Sequence, residues 1–344
     1  DKSGRAMTKD EFMQKQIKIF LDDYLGTKNY ELVSLTKGGS DRSFFRVSLQ
    51  HETSFVFMRY GDEVAENAYW ADINSFMSSL DITVPRIIAR NDREHFILME
   101  DLGDTDLCSQ SFALWEKRRD YYLSSLTQIY RLHSFDLKSF SPNLQLSESY
   151  GPRLYKWEHD YFLENLVFAV CKIKLSAAES AKLNKELAAL SKRLQKIEQS
   201  LIHRDIQSQN IMIKNDKPVM IDFQGMRIGN LFYDLGSLIC DPYVTFSDEE
   251  RKDLMDFYYN LISSSYSHNE FVSNFWEAAA QRLMQALGAY GFLGLKKGKK
   301  DFLGHIGNGL KNLEAASKAA QLTILEELAH KCTDKLATKI TDRY

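Results

Sequence analysis

The chain has 344 residues, 44% of them hydrophobic and 26% charged, the balance of a folded globular protein too long for one ordinary domain, so two lobes are expected. A formal net charge of −3 gives no general attraction to nucleic acid or anionic lipid. Cys108, Cys171, Cys240 and Cys332 form no CxxC pair, which argues against a zinc cluster or disulfide scaffold and suits a reducing cytoplasm. No apolar run approaches the roughly 18–20 residues of a membrane span, and no signal-peptide core opens the chain.

Residues 1–6, ahead of Met7, are expected to be an expression remnant outside the fold. A first helix is predicted over residues 9–24, with Phe12, Ile17, Phe20 and Leu21 on one face. The apolar runs 32–35 and 44–47 flank Gly38-Gly39-Ser40-Asp41 and read as a hairpin. A third strand covers 55–58, a helix 63–80, and short strands 86–90 and 95–100. Asp101-Leu102-Gly103-Asp104 then breaks the pattern. Helical periodicity takes over at 115–135, 155–170 and 176–199. Short apolar runs follow at 201–202, 211–213 and 219–221, and helices again from 248 onward, interrupted by a glycine-rich stretch at 288–309. Lys296-Lys297-Gly298-Lys299-Lys300 reads as a solvated loop that could guide an anionic substrate. The architecture expected is α+β. A lobe at 7–102 holds a small antiparallel sheet and one helix, a hinge lies near 100–103, and a large, mainly helical lobe covers 103–344.

His203-Arg204-Asp205-Ile206-Gln207-Ser208-Gln209-Asn210 has the spacing HRDxxxxN, and Asp222 stands twelve residues beyond Asn210. Phosphoryl transfer needs a carboxylate beside the attacking hydroxyl and oxygen ligands that hold Mg²⁺ against the phosphates. A tight loop between short strands can present Asp205 to the acceptor, with Asn210 and Asp222 at the metal. Asp205 chiefly orients the acceptor, because the hydroxyl proton leaves late in a loose transition state. His203 and Arg204 support the loop. A lone HRD is common by chance; the joint pattern is not explained by packing.

These residues resemble the kinase motifs, with departures. Asp222-Phe223-Gln224 stands where protein kinases carry DFG, and no APE segment or long activation loop precedes Tyr233-Asp234. The chain is similar to the aminoglycoside phosphotransferase and choline kinase superfamily. That resemblance implies a protein-kinase-like two-lobe fold, ATP and Mg as cofactors, Asp205 as base, and Asn210 and Asp222 as metal ligands. It makes Asp234 a brace for the catalytic loop; a plain helix cap is the equal alternative.

On the nucleotide side, Gly38, Gly39, Ser40, Asp41 and Arg42 sit where a phosphate-covering hairpin belongs. The third strand carries Arg59 in place of the kinase lysine. Either Arg59 supplies the cation with Glu66 as partner, or Arg42 or Mg²⁺ does so. Phe96 to Leu102 resembles the superfamily's hinge strand, which implies adenine contacts from the backbone of Glu100 and Leu102, with Met99 behind the base.

The stretches Gly38 to Arg46, Glu100 to Asp104 and Gln281 to Tyr290, with the glycine–lysine turn that follows, resemble the bacterial anomeric N-acetylmuramate/N-acetylglucosamine kinases. This implies a small hydroxylated acceptor, an amino sugar, with no nucleic-acid or membrane partner. A monomer is compatible with the sequence. Gln207, Gln224, Glu158 and Arg282 could contact a sugar. Trp157, Tyr161 and Tyr233 keep a choline-type aromatic cage open, and with it a choline, ethanolamine or aminoglycoside kinase. A nucleotide-binding pseudokinase is the non-enzyme alternative.

Overall fold

The computed structural model describes residues 9–35, 41–50 and 53–341. Residues 1–6 and the turn residues Gly38, Gly39 and Ser40 lie outside the described residues. The described residues up to Ala71, with Pro85–Leu102, form one compact unit; Asp72–Val84 and the described residues from Gly103 onward form a second.

In the first unit, α1 (Lys9–Leu25) is followed by β1 (Tyr30–Leu35), β2 (Arg42–Leu49) and β3 (Ser54–Tyr60). After α2 (Trp70–Ser79), most of which belongs to the second unit, come β4 (Ile87–Asn91) and β5 (Phe96–Glu100). The strands form one sheet in the order β1-β2-β3-β5-β4, every pair antiparallel. Alternation puts Val47, Phe57 and Leu98 on the face that meets Ile17, Phe20 and Leu21 of α1. Each fully buried Phe here contributes roughly 1.5–3 kcal/mol. Phe12 is 49% exposed; Met13, four residues before Ile17 and so one turn away on the same face, packs against the core in its place.

The helix expected over 63–80 divides. Val64 is extended and caps nothing with its side chain, so a 3-10 turn (Ala65–Tyr69) precedes α2. Glu66 therefore lies on that turn and not on an α-helix.

The second unit is mainly helical. It contains α3 (Trp115–His133), α4 (Pro152–Phe162), α5 (Ala177–Leu194), α6 (Leu231–Ile239), α7 (Asp248–Ile262), α8 (His268–Gly291), α9 (Ile306–Ala319) and α10 (Thr323–Thr341). Ser-x-x-Glu sequences start three of these, as capping boxes at Ser176/Glu179, Ser247/Glu250 and Ser267/Glu270. Both α4 and α8 continue into π-helical turns, Leu163–Phe168 and Phe292–Lys296. The glycine-rich stretch does not break α8 where expected. Gly291 instead lets it press on the π turn after α4, since a Cβ there would lie 2.2 Å from the carbonyl oxygen of Asn165.

Four short strands complete the unit: β6 (Gln199–Ile202), β7 (Ile211–Lys214), β8 (Lys217–Met220) and β9 (Arg227–Asn230). β7 and β8 pair antiparallel about Asn215 and Asp216, whose φ values of +51° and +57° suit a two-residue hairpin turn. β9, Arg-Ile-Gly-Asn, has no apolar run and was not predicted. Its pairing with β6 nevertheless delivers Asn230 to the start of α6, where its side chain caps the helix by accepting from the Tyr233 N–H.

Candidate active site

The loop from β6 to β7 carries the HRDxxxxN residues, and a buried carboxylate holds its entry. Asp234, in the first turn of α6, accepts the backbone N–H groups of His203 and Arg204, each at 2.7 Å. It also accepts from Nε2 of His133 at 3.0 Å, and the other ring nitrogen of His133 lies 2.6 Å from the Tyr258 hydroxyl. Arg204 has φ +80°, a conformation that costs a non-glycine residue roughly 1–3 kcal/mol. The two charge-assisted bonds on either side of its peptide offset that strain.

His203 is fully buried. Its Nε2 lies 3.1 Å from the Ile221 carbonyl and can only donate there, while Nδ1 accepts the Asp205 N–H at 3.3 Å. Both nitrogens are committed, so the ring ties the loop to β8 and takes no part in proton transfer.

Asp205 meets two guanidinium groups. Arg204 donates to Oδ2 at 2.6 Å and Arg282 to Oδ1 at 3.3 Å. Burial by itself would raise the Asp205 pKa, but the neighbouring Arg204 and Arg282 charges outweigh it and hold the carboxyl below its ordinary value. Arg282 is 3% exposed and is fixed by the Ser237 hydroxyl at 3.1 Å and Gln285 Oε1 at 2.5 Å. A helix crossing sets this geometry. A Cβ on Gly236 of α6 would lie 2.7 Å from the Ala279 Cα of α8, so the backbones touch there, next to Ser237 and one turn before Arg282.

Asn210 and Asp222 are brought together by a backbone bond from the Ile221 N–H to the Asn210 carbonyl, 3.0 Å. The Asn210 side-chain nitrogen donates to the Asp205 carbonyl at 2.8 Å, which leaves its Oδ1 as the free acceptor. Asp222 adopts φ +62°, ψ +36°, a left-handed conformation rare for a non-glycine residue and typical of functional turns. One amide oxygen and one carboxylate make a hard, all-oxygen pair that suits Mg²⁺ when nucleotide phosphates and water complete the shell. Among the described residues no group of three or more His, Cys, Asp and Glu side chains could hold a metal without such help.

Of the four expected sugar contacts, two are buried and committed elsewhere. Glu158 is 0% exposed. Its Oε1 accepts the hydroxyls of Tyr150 and Tyr233, both at 2.8 Å, and its Oε2 accepts the Gln281 amide at 2.8 Å. A carboxylate with no surface and three donors cannot meet a substrate, so that expectation is corrected. Arg282 is buried on Asp205, and Gln224 donates to Asp222 Oδ1 at 2.9 Å. Gln207 is half-buried and donates to the Tyr290 hydroxyl at 3.1 Å. Tyr233 is fully buried with its hydroxyl on Glu158, so it forms no open cage with Trp157 and Tyr161.

The loop also has support that was not foreseen. Asp241, fully buried, accepts the Ser208 N–H at 2.7 Å and hydroxyl at 2.5 Å, and the Tyr243 N–H at 2.9 Å. Desolvation pushes its pKa up while those bonds pull it down, with a net rise. A lone Asp after an apolar helix gives no hint of this from sequence.

In the first unit, Asp41 Oδ2 accepts the Glu63 N–H at 3.0 Å and its carbonyl accepts the Gly61 N–H at 2.8 Å. It closes a turn there. Arg42 opens β2 with its guanidinium 5.7 Å from the Phe44 ring centroid. Arg59 lies on β3 opposite Ser43 and Phe96. Arg59 forms no ion pair among the described residues, and Glu66 sits on the 3-10 turn ahead of α2. Met99 is buried on β5. The Glu100 N–H bonds the Arg86 carbonyl, and its carboxylate accepts the Arg86 N–H. Arg46 and Ser54 hold Asp101 at 2.6 and 2.8 Å, which fixes the strand end before Leu102.

The model of the phosphotransferase enzyme family matches residues 31–267. The chain belongs to that family. It is therefore an enzyme, a kinase-type phosphotransferase. The N-acetylmuramate/N-acetylglucosamine kinase of Neisseria meningitidis serogroup B is 21% identical to it over 318 residues, covering 89% of this chain and 92% of that protein. Among solved structures, a choline/ethanolamine kinase family protein from Mesorhizobium loti superposes with a TM-score of 0.60 at 13% identity, covering 92% of this chain and 99% of its own. The ADP-bound aminoglycoside phosphotransferase APH(2'')-Ib gives 0.57 at 14% identity, with 88% and 98% covered. The kinase-like fold expected from the sequence is thus present: a five-stranded antiparallel sheet followed by a mainly helical remainder. No helix among the described residues is long and apolar enough to cross a membrane.

Proposed function

We propose that this kinase moves the γ-phosphoryl group of ATP to the anomeric hydroxyl of an N-acetylated amino sugar, of the N-acetylmuramate or N-acetylglucosamine kind. The observation that carries the chemistry is Asp205 held between Arg204 and Arg282 on the loop that also supplies Asn210, itself tied to the strand end bearing Asp222. Asp205 accepts a hydrogen bond from the acceptor hydroxyl and fixes its line of attack. The new O–P bond forms as the bond to ADP breaks, and the hydroxyl proton passes to Asp205 late, so a weakly basic carboxylate suffices. Asn210 Oδ1 and Asp222 would hold Mg²⁺, which neutralises phosphate charge when bound. Asp234 and His203 position the loop and touch no reacting atom.

The first unit would supply the nucleotide contacts. The backbone groups of Leu102 have no partner among the described residues and are free for an adenine edge, with Met99 behind it. Arg59, without an ion pair among the described residues, or Arg42 would meet phosphate. The ADP carried by a structural neighbour supports an adenine nucleotide as donor.

The sugar assignment is supported by the bacterial relative, matched along nearly its whole length, and by the burial of Tyr233, which removes one wall of a choline cage. A cytoplasmic, small-molecule role follows from the same reading. The test is ADP release by the purified protein with Mg²⁺ and N-acetylmuramate, N-acetylglucosamine, choline or ethanolamine. Turnover of the N-acetylated sugars, with a sugar 1-phosphate seen by phosphorus NMR, is expected. Turnover of choline and of neither sugar sinks the assignment, and ATP binding without transfer to any acceptor points to a pseudokinase.

A further inference from the structure

Beside the catalytic loop lies an aromatic wall with no role in the chemistry above. Tyr243, just after α6, packs its ring 4.4 Å from the imidazole of His305 and 5.5 Å from the ring of Tyr290. Phe302 lies 5.8 Å from Tyr290. Tyr290 is buried at 3% exposure, whereas Tyr243, Phe302 and His305 are half-buried and so keep part of their surface open. The wall joins the loop directly: Gln207 donates its side-chain N–H to the Tyr290 hydroxyl at 3.1 Å, and its backbone N–H bonds the Asp205 carbonyl at 2.9 Å.

The wall is also rigid. Asn308 on α9 donates to the carbonyls of Pro242 and Val244, at 2.9 and 3.0 Å, on either side of Tyr243. The Tyr243 N–H is held by Asp241. Pre-set aromatic faces of this kind lower the ordering cost of binding.

We infer that Tyr243, Phe302 and His305, with Gln207, form the acceptor-binding wall of the site and select a neutral, hydroxyl-rich ring over a quaternary ammonium. The inference rests on the phosphotransferase reading of Asp205 and adds the surface that receives the acceptor. Two features carry the choice of class. The polar groups of the wall are uncharged hydrogen-bonding ones: the side-chain Oε1 of Gln207 and the His305 ring nitrogens, none with a hydrogen-bond partner among the described residues, while the Tyr243 hydroxyl is shared with that of Tyr290. The buried carboxylates that could neutralise a bound ammonium are already engaged, Asp205 by two guanidiniums and Asp241 by Ser208 and Tyr243. An aromatic face with neutral hydrogen-bonding groups at its edge suits the C–H face and hydroxyls of a sugar. A cation cage gains most when desolvated and opposite negative charge.

The test compares wild type with Phe302→Ala, His305→Ala and the conservative Phe302→Tyr, using N-acetylglucosamine, N-acetylmuramate and choline as acceptors. Acceptor KM should rise at least tenfold in both alanine variants, with the KM for ATP within twofold of wild type. Phe302→Tyr should recover most of the loss. Unchanged sugar KM values in a wild-type-like fold overturn the wall while leaving the sugar kinase reading intact. Turnover of choline alone overturns the class chosen here; the wall then stands only if the choline KM shifts in the same variants. A wild type inert towards all three acceptors overturns both.

Discussion

The floor of the catalytic loop and its mouth hold their carboxylates by different means. At the floor, Asp234 is buried and meets backbone N–H dipoles and one imidazole. At the mouth, Asp205 keeps some surface and meets two guanidinium groups. Dipoles fixed in a buried site make the carboxylate indispensable to the backbone it holds, because removing it strands those donors. Guanidiniums around a partly open carboxylate tune its charge and aim, and the backbone can survive without them. The floor should therefore govern folding and the mouth turnover.

Asp234→Ala offers the largest effect. Two backbone N–H groups and His133 would lose their acceptor in a dry site, and Arg204 would keep its positive φ without the bonds that hold it. A loss of about 3–5 kcal/mol in urea unfolding of the full chain is expected. A loss below about 1 kcal/mol would mean that water or another group replaces the carboxylate and that the floor is not structural.

Arg282→Gln should reverse the pattern. Removing one of two positive charges from Asp205 leaves desolvation less opposed, so the folded-state pKa rises. The acid limb of the pH profile of kcat/KM should then move to higher pH, and kcat should fall tenfold or more as Asp205 loses its alignment. The stability sign follows from the same shift. A depressed carboxylate stabilises the fold above its unfolded pKa, near 3.9, and that contribution is lost as pH falls through the folded value. The variant should therefore lose less stability at pH 3 than at pH 7. An unmoved acid limb would assign Arg282 to packing alone.

The floor and the mouth were unequally legible in the sequence. His203, Asp205, Asn210 and Asp222 stand out because their spacing is fixed by chemistry that few other arrangements share. Arg282 was singled out from the segment resembling sugar kinases, but as a substrate contact. What places it on Asp205 is the approach of Gly236 to Ala279, a contact between helices distant in sequence. Glu158 is hidden from the sequence for a related reason: its carboxylate is held by Tyr150, Tyr233 and Gln281, from a loop and two different helices. β9 escaped because a strand of four residues with a polar start and end has no periodicity to detect. In the first unit, the core of Ile17, Phe20, Phe57 and Phe96 followed from apolar spacing. The break in the helix expected over 63–80 did not, and it places Glu66 on a 3-10 turn ahead of α2.

Tyr258→Phe provides the finest test of the comparison. Its hydroxyl lies 2.6 Å from His133 Nδ1, one step behind the imidazole that supports Asp234. The substitution keeps the ring, which is fully buried, so packing changes little. One hydrogen bond is lost, and a buried ring nitrogen is left without a partner, a cost of about 1–2 kcal/mol. Nε2 still faces Asp234, and Asp234 still accepts the N–H groups of His203 and Arg204, so kcat and both KM values should stay within twofold of wild type. A modest fall in the urea midpoint with unchanged kinetics is the expected result. A tenfold fall in kcat at nearly unchanged stability would mean that the floor reaches through His133 and Asp234 to the reacting groups, and the division between a structural floor and a chemical mouth would fail.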